Sequence, residues 1–375
     1  MKVCMLTTSF PSHEGHSRTP FIYSLAKVIS KKVELDVICP YYKNSKDDFE
    51  SIKVHRFWYW IPSKQTLTER GGIPSEIRSS WYSRLQFIPF CLAYMFKILR
   101  VARKADVIHA NWLLSGALAL PTKWIFKKKI VLNERGSNLN MLNKSFLGKL
   151  IAGFIVSQMD YVVANNKHQI ELLKYLKVKT KVIYNGIEFD KNVKKIENDR
   201  PIILFVGNLV KEKGVIDLVE ALSEVRGFDF ECYFVGDGIL REKLEDMSKV
   251  LGVKTKFTGA IPFNEVAKYY ASANLFVFPS WEEGRPNVLI EAMAYNLPVI
   301  AYDIHGVREI ITNDYNGMLV KLKDISAFAH AVSSVLKDDK LRLNLKKNSA
   351  EWFKKNELTW GQAADKFIKV YKEIY

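Results

Sequence analysis

The feature that most constrains the fold of this chain is the alternation of short apolar segments with helical patterns along almost its whole length. The first half carries the apolar segments "VCMLTT", "VELDVIC", "DVIHA", "KIVLNE" and "YVVAN", and the second carries "PIILFVG", "ECYFVG", "LFVFPS" and "PVIAYD". Helical patterns lie between them, for example at residues 20–30, 82–103 and 215–225. Continuous apolar strands that alternate with helices are typical of parallel sheets covered on both faces. The sequence therefore predicts an α/β fold.

A polar segment divides this pattern into two halves. Residues 189–200, "FDKNVKKIENDR", are charged and without periodicity, and a fresh apolar strand follows them. We predict two doubly wound, Rossmann-like domains facing a cleft, the first at residues 1–190 and the second at 191–358. Ligands of such domains bind at the carboxyl ends of the strands. The last segment, 359–375, has aromatic residues at helical spacing, which predicts a helix that packs back on the first domain.

The net positive charge of the chain lies entirely in its first half. Residues 1–185 contain 29 Lys and Arg against 12 Asp and Glu, or +17, whereas residues 186–375 contain 27 against 28, or −1. Such asymmetry favours an anionic partner for the first half, such as a membrane surface, an acidic lipid or a nucleic acid. A solvated basic surface without a partner is the alternative.

Cysteine usage and hydropathy indicate the compartment. Four cysteines stand apart in apolar segments without a C-x-x-C pair, as expected of core residues in a reducing compartment: Cys4, Cys39, Cys91 and Cys232. The N-terminus lacks the long apolar segment of a signal peptide. We expect a cytoplasmic protein, or one peripheral to the cytoplasmic face of a membrane.

Residues 81–104 are apolar with interspersed cations, which fits either an interfacial helix on anionic lipid or a core helix with a basic rim.

Several common site motifs are absent from the sequence. It has no G-x-G-x-x-G after the first strand, no G-x-x-x-x-G-K-[ST], no D-x-D and no metal-ligand spacing. A nicotinamide enzyme and a P-loop enzyme are therefore not expected, and neither a metal nor a cofactor is predicted.

Three strand-end loops of the second half suit a phosphate-containing ligand. In "FVGNLVKEKG" a strand ends at Gly207, and Lys213 lies beside the start of a helix, where free N–H groups and the helix dipole favour an anion. The segments "FVGDGIL" and "KFTGAIP" place Gly238 and Gly259 where a base or ribose could approach the backbone. An ordinary surface lysine and glycines of tight turns are the alternatives.

Two carboxylates follow the strand "LFVFPS", in "WEEGRPNVLIEAMAYN". Glu283 lies in the loop at the end of the strand, beside Gly284, and Glu291 lies about one turn into the helix that Asn287 is expected to cap. Two acceptor groups suit the paired hydroxyls of a sugar and a ribose. A solvated Glu283 and a helix-end salt bridge for Glu291 are the alternative.

The first half presents a second group of polar strand ends. Gly15 and Arg18 lie in the long loop after the first strand, His109 and Asn111 end "DVIHAN", and Arg135 ends "KIVLNER". Because these ends meet at one edge of a parallel sheet, they predict functional residues at the edge of the cleft, although a lone histidine at a strand end is also often structural.

Together these segments resemble the retaining glycosyltransferases of family 4, which have the two-Rossmann GT-B fold. The resemblance runs the length of the chain and is most specific in the Glu-x7-Glu pair of Glu283 and Glu291. It implies that Glu291 binds the ribose of the donor, that Glu283 lies near the donor sugar, and that Lys213 holds the diphosphate. The chain departs from the family pattern at Asn208, where an arginine is usual, and at Asn111, where a second histidine is usual.

The resemblance implies a metal-independent hexosyltransferase that uses a UDP- or GDP-linked sugar and a glycan or lipid-linked acceptor, in cell-surface polysaccharide or glycolipid synthesis. Its catalytic residues would be His109, Lys213 and Glu283, and its acceptor-side residues would be Gly15, Arg18, Asn111 and Arg135. Its donor-binding residues would be Gly207, Asn208, Lys213, Gly238, Gly259, Gly284, Asn287, Val288, Leu289 and Glu291. The alternatives are a nucleotide-sugar epimerase on the same scaffold, a sugar-binding protein without turnover, and a basic nucleic-acid-binding protein. The last has no recognised motif, so no nucleic acid is expected as a partner.

Overall fold

A computed structural model of the chain describes residues 1–13, 20–43, 45, 47, 49–68, 72–135, 145–190, 192–356 and 358–375. The chain divides into two compact units, Met1–Gly186 with Thr359–Tyr375, and Ile187–Leu358. The polar segment at 189–200 begins inside the second unit, where the Phe189 ring packs edge-on against Tyr295 with 4.8 Å between the ring centroids.

The first unit is built on a parallel sheet of seven strands in the order β3-β2-β1-β4-β5-β6-β7. Its central strands are buried along nearly their whole length, as expected when helices cover both faces of a parallel sheet. The strands are β1 (Lys2–Leu6), β2 (Glu34–Pro40), β3 (Ile52–Phe57), β4 (Val107–Asn111), β5 (Lys129–Glu134), β6 (Tyr161–Ala164) and β7 (Thr180–Val182).

Helices of the first unit cover both faces of this sheet. The described helices are α1 (Pro20–Ser30), α2 (Ile73–Ser79), α3 (Trp81–Ala102), α4 (Trp112–Phe126), α5 (Phe146–Ser157) and α6 (Lys167–Leu173), with a short 3-10 helix at Pro62–Lys64. Buried residues of α3, α4 and α5 form one core on one face, and α1 contributes to a separate core on the other face. Ser80, Ser145 and Asn166 cap α3, α5 and α6 by accepting backbone N–H hydrogen bonds.

The second unit repeats the design with a parallel sheet of six strands in the order β10-β9-β8-β11-β12-β13. Its strands are β8 (Ile202–Val206), β9 (Glu231–Val235), β10 (Thr255–Phe257), β11 (Leu275–Phe278), β12 (Val299–Tyr302) and β13 (Met318–Val320). Its described helices are α7 (Val215–Glu224), α8 (Arg241–Leu251), α9 (Phe263–Ser272), α10 (Asn287–Ala294), α11 (His305–Arg308), α12 (Ile325–Lys337) and α13 (Asp339–Asn356), with a 3-10 turn at Lys211–Lys213.

The C-terminal helix α14 (Trp360–Ile374) returns to the first unit, as its aromatic spacing predicts. Thr359 caps it by accepting from the backbone N–H of Gln362 at 3.3 Å. Its inner face, with Trp360, Phe367 and Tyr371, is buried against α1 and the sheet. The chain therefore has the predicted fold class, two Rossmann-like α/β units with the last helix on the first.

Candidate active site

The loop after β8 brings Lys213 to the end of β11. Lys211–Lys213 form the 3-10 turn, and Gly214 ends it in the left-handed region at φ 64° before α7 begins. A side chain at Gly214 would place its Cβ 1.9 Å from the carbonyl oxygen of Pro279. Only glycine therefore permits both this backbone conformation and this close approach of the two loops.

The loop after β11 is tied to the same turn by hydrogen bonds. The backbone N–H of Trp281 donates to the carbonyl oxygen of Glu212 at 2.9 Å. The indole Nε1 of Trp281 donates to the Asp217 carboxylate at 2.9 Å, and the Tyr302 hydroxyl donates to the same carboxylate at 3.1 Å. These bonds fix the loop that carries Glu283.

Lys213 and Glu283 form an ion pair through the ammonium Nζ and the carboxylate Oε1. Each side chain keeps part of its surface in contact with solvent, 29% for Lys213 and 20% for Glu283. The structure therefore places a cation and a carboxylate together at the carboxyl ends of neighbouring strands, where they remain open to a ligand.

Helix α10 starts directly after this loop. Its first three residues are Asn287, Val288 and Leu289, whose backbone N–H groups precede the intrahelical hydrogen-bond ladder. The prediction that Asn287 caps this helix is wrong. Pro286 occupies the N-cap position, so Asn287 is already helical and its side chain makes no capping hydrogen bond. The Leu289 side chain is buried in the core, which leaves only its backbone for a ligand.

Glu291 lies on α10, five residues into the helix, and is linked to α9 rather than to the Lys213 turn. The Tyr270 hydroxyl donates to Glu291 Oε2 at 2.8 Å. Burial raises the pKa of Glu291 from 4.5 to about 7, and the Tyr270 hydrogen bond opposes that rise. A carboxyl whose pKa is raised in this way can accept hydrogen bonds from ligand hydroxyls, and those hydrogen bonds stabilise its charged form.

The glycines predicted to admit a base or ribose have partners inside the unit. A Cβ at Gly238 would lie 2.4 Å from the carbonyl oxygen of Leu209, so its close approach is to the loop after β8. Gly259 adopts φ 69°, which explains the glycine by backbone conformation. The space beside Gly238 is therefore filled by protein backbone, because the loops after β8 and β9 pack against each other.

In the first unit, His109 lies in a buried hydrogen-bond network. Its Nδ1 is 2.5 Å from the Tyr371 hydroxyl of α14. With the Asn133 amide oriented so that its oxygen faces Nε2, that oxygen accepts from His109 at 3.1 Å and from Arg135 at 3.0 Å. Nε2 then carries the ring proton and the Tyr371 hydroxyl donates to Nδ1. Burial and the positive charge of Arg135 lower the pKa of His109 to about 3, so the ring is neutral.

The catalytic role predicted for His109 does not fit this placement. The residue has no exposed surface, and protein groups engage both of its ring nitrogens. A side chain with no exposed surface makes no contact with a substrate in this conformation. His109 instead joins the end of β4 to the C-terminal helix.

Asn111 and Arg135, predicted on the acceptor side, lie beside this network. Asn111 is buried and donates to the carbonyl oxygen of Leu6 at 3.1 Å. The Arg135 guanidinium donates to Asn111 Oδ1 at 3.3 Å and to Asn185 Oδ1 at 2.7 Å. Gly15 and Arg18, also predicted there, lie outside the described residues. Among the described residues, no group of three or more His, Cys, Asp or Glu side chains is arranged to hold a metal ion.

Comparison with known proteins decides the family. Residues 20–191 match the family described as Glycosyltransferase Family 4, and residues 186–352 match Glycosyl transferases group 1. The putative teichuronic acid biosynthesis glycosyltransferase TuaC of Bacillus subtilis is 30% identical over 363 residues, which are 89% of this chain and 88% of TuaC.

The chain belongs to glycosyltransferase family 4.

Two further proteins extend this comparison. The N-acetylgalactosamine-N,N'-diacetylbacillosaminyl-diphospho-undecaprenol 4-alpha-N-acetylgalactosaminyltransferase of Campylobacter jejuni is 29% identical over 229 residues, 58% of this chain and 62% of that enzyme. The structure of HepE from Anabaena in complex with UDP and glucose has a TM-score of 0.76, 19% identity and full coverage of both chains. This likeness confirms the GT-B fold. The chain is thus a glycosyltransferase with two Rossmann-like units.

The remaining donor-side residues of this family 4 chain lie at strand ends of the second unit. Asn208 is exposed in the loop after β8, immediately after the half-buried Gly207, and Gly284 is exposed beside Glu283. The carbonyl oxygen of Gly284 lies 2.7 Å from where a Cβ at Gly306 would stand, so the first turn of α11 supports this loop.

Sequence reasoning missed three residues that hold predicted site residues in place, two in the second unit and one in the first. Tyr270 holds Glu291, Asp217 anchors the Glu283 loop through Trp281, and Asn133 accepts from His109 and Arg135. Asp217 could have been noticed as a charge among apolar residues at the start of α7. Tyr270 and Asn133 leave no comparable signal, because an aromatic on an amphipathic helix and an asparagine near a strand end are both common.

Proposed function

We propose that this glycosyltransferase moves a hexose-type sugar from a UDP- or GDP-linked donor to a hydroxyl of a glycan or lipid-linked acceptor, with retention of the anomeric configuration. The observation that carries the proposal is the Lys213–Glu283 ion pair, held at the ends of β8 and β11 and followed directly by the first turn of α10. This arrangement offers a cation and free N–H groups to a diphosphate, and a carboxylate to sugar hydroxyls.

In the proposed reaction, the bond between the anomeric carbon and the diphosphate oxygen breaks, and its electrons stay with the diphosphate. Lys213 and the N–H groups at the start of α10 stabilise the negative charge where it develops. The acceptor hydroxyl forms the new bond on the same face and gives its proton to the departing diphosphate oxygen. Neither a metal nor a cofactor takes part in this scheme.

Donor binding would rearrange the ion pair. A diphosphate competes with Glu283 for the Lys213 ammonium, because both are anionic acceptors of charge-assisted hydrogen bonds. Glu283 is then released to accept hydrogen bonds from sugar hydroxyls. Glu291 accepts from the ribose, as the family resemblance implies, and this interaction draws its carboxyl into the charged form.

The acceptor is proposed from the charge of the first unit and from the relatives. Residues 1–185 carry an excess of +17, which suits a polyanionic or lipid-diphosphate acceptor. The names of TuaC and of the Campylobacter transferase refer to teichuronic acid and to a diphospho-undecaprenol substrate. These names support a role in polysaccharide or glycolipid synthesis. We place that role in the cytoplasm or at the cytoplasmic face of a membrane, without a nucleic acid partner, as part of the proposal.

A panel of nucleotide sugars tests the donor. Thermal unfolding is followed with UDP- and GDP-linked hexoses, because selective binding stabilises the folded state. We expect one base to raise the unfolding midpoint in the wild type, and Lys213→Ala to abolish the rise. Lys211→Ala, which removes the same charge from an exposed position in the same turn, is the matched control. Equal stabilisation of the wild type and Lys213→Ala would contradict the diphosphate assignment.

An activity assay distinguishes sugar transfer from the alternative reaction, epimerisation of the nucleotide sugar. With donor and a lipid-linked acceptor, a transferase releases the nucleotide diphosphate and forms an anomerically retained product. Conversion of donor alone to an epimer, without any acceptor, would instead establish the nucleotide-sugar epimerase.

A further inference from the structure

Helix α3 presents an apolar stripe to solvent. Trp81, Leu85, Ile88, Leu92 and Phe96 recur at three- and four-residue spacing, so they share one face of the helix. All five are exposed, with 69% of Ile88 and 65% of Phe96 accessible. Isolated exposed apolar residues are common, but a continuous stripe marks an interaction surface.

Helix α5 presents a second stripe of the same kind. Phe146, Leu147, Leu150, Ile151 and Phe154 follow helical spacing and are all exposed, with 80% of Phe146 accessible. Between α3 and α5 lies α4, whose last turn exposes Trp124 and Ile125.

The three helices lie side by side over one face of the first unit's sheet. Helix α4 contacts both α3 and α5, and the inner faces of all three contribute to one buried core. Their outward stripes therefore occupy the same side of the unit. We call this surface the apolar face: the exposed stripes of α3 and α5 with Trp124 and Ile125.

The charged side chains of the three helices are all cations, of which Lys123 is already paired with Asp160, beyond α5, at 3.1 Å. Across α3, α4 and α5 the sequence contains no aspartate or glutamate, whereas it contains Arg84, Lys97, Arg100, Lys123 and Lys149. Arg100 follows Phe96 by one helical turn, and Arg103 and Lys104 are exposed just beyond the helix. Three neighbouring helices that carry cations and no carboxylate are complementary in charge to an anionic partner.

We propose that the apolar face is the surface by which this protein lies on a bilayer containing anionic lipids. Apolar side chains on one side of a helix, with cations beside them, bind at the boundary between lipid headgroups and acyl chains. The apolar stripes enter that boundary, and the lysines and arginines contact lipid phosphates.

A transmembrane role for α3 does not fit the structure. Among the described residues, α3 is the helix long and apolar enough to cross a bilayer. However, its other face, with Phe90, Tyr94 and Ile98, has no exposed surface and packs in the core of the first unit. A helix with one face in the protein core lies along a membrane surface instead of crossing the bilayer.

Vesicle flotation with the full-length protein tests this proposal. Vesicles of phosphatidylcholine alone are compared with vesicles containing about a quarter phosphatidylglycerol, at low and high salt. We expect binding to the anionic vesicles only, weakened by salt because screening shortens the reach of the charges. Ile88→Gln and Phe96→Gln should each lower partitioning about tenfold, and Arg100→Gln about fivefold.

Matched controls come from the second unit. Ile239 and Val250 are 89% and 84% exposed but lie far in sequence from the apolar face, so Ile239→Gln and Val250→Gln should leave partitioning unchanged. Thermal unfolding of every variant confirms that the fold is intact.

Three outcomes would overturn the proposal. The first is equal recovery of the protein with both vesicle types, and the second is partitioning of both the Ile88→Gln and the Phe96→Gln variants equal to that of the wild type. The third is a homodimer that these substitutions dissociate. The last would make the apolar face an interface between two copies of the chain. Since the assay measures binding without turnover, its result is independent of the proposed reaction.

Discussion

Lys213 and Glu283, 70 residues apart in sequence, form an ion pair at the ends of β8 and β11. Two backbone connections bring them together: the close approach of Gly214 to Pro279 and the hydrogen bond from Trp281 N–H to the carbonyl oxygen of Glu212. The backbone therefore positions both charges before any ligand arrives. Preorganised charge of this kind is what stabilises a leaving group effectively.

Replacing Lys213 by alanine should impair transfer more than folding. Since the side chain is partly exposed, we expect a small change in unfolding free energy, within about 1 kcal/mol. Loss of a cation at the developing diphosphate charge should lower kcat about 100-fold or more. Steady-state kinetics with the donor identified by the panel measures this. An activity of Lys213→Ala equal to that of the Lys211→Ala control would show that the cation plays no part in the reaction.

Replacing Glu291 by glutamine should change how stability depends on pH. The folded-state pKa of about 7 exceeds the ordinary value of 4.5, so between these values the native state holds a proton that the unfolded chain has lost. Wild-type stability should therefore decline as pH rises from 4.5 to 7, by about 3 kcal/mol from this group, and level off above 7.

The glutamine variant keeps an acceptor for Tyr270 but cannot ionise, so this decline should disappear from its profile. Urea unfolding at a series of pH values compares the two proteins, and Glu265→Gln, an exposed carboxyl on α9, serves as the control. Parallel pH profiles for wild type and Glu291→Gln would mean that the carboxyl titrates normally.

Tyr371→Phe should destabilise the first unit. The substitution removes the hydroxyl hydrogen-bonded to His109 Nδ1 and leaves that buried nitrogen without its partner, at a cost of about 1–3 kcal/mol. Denaturant unfolding at neutral pH measures the change. Tyr375→Phe removes a hydroxyl from a 75% exposed residue at the end of α14 and should have little effect. Equal stability of the two variants would show that the His109–Tyr371 bond contributes nothing net.

Gly214→Ala should separate the loops that hold Lys213 and Glu283. The new Cβ would meet the Pro279 carbonyl oxygen at 1.9 Å, and the left-handed backbone adds strain of about 1 kcal/mol. Gly227→Ala is the matched control, because Gly227 has φ 80° but nothing within 4 Å of its Cβ position. We expect Gly214→Ala to lose donor-induced thermal stabilisation and Gly227→Ala to retain it. Retention by both would indicate that the loops adjust without disturbing the site.

The fold was largely accessible from local patterns. The helix predicted at 20–30 is found at Pro20–Ser30, and the one predicted at 215–225 at Val215–Glu224. The predicted cap of α10 is wrong by one residue, since Asn287 and Pro286 are both plausible at a helix start and only the backbone path distinguishes them.

Local periodicity is enough to specify parallel strands, their covering helices and the edge where strand-end loops gather, because each depends on neighbours a few residues away. The same reasoning placed Lys213 and Glu283 at one edge of one sheet. It did not reveal that Tyr371 hydrogen-bonds to His109, which lies 262 residues before it in sequence, or that Tyr270 hydrogen-bonds to Glu291. The burial and hydrogen bonding of those groups arise from packing between segments that are distant in sequence. This packing determines the pKa of a side chain and its exposure to a ligand, and no pattern within a single segment predicts it.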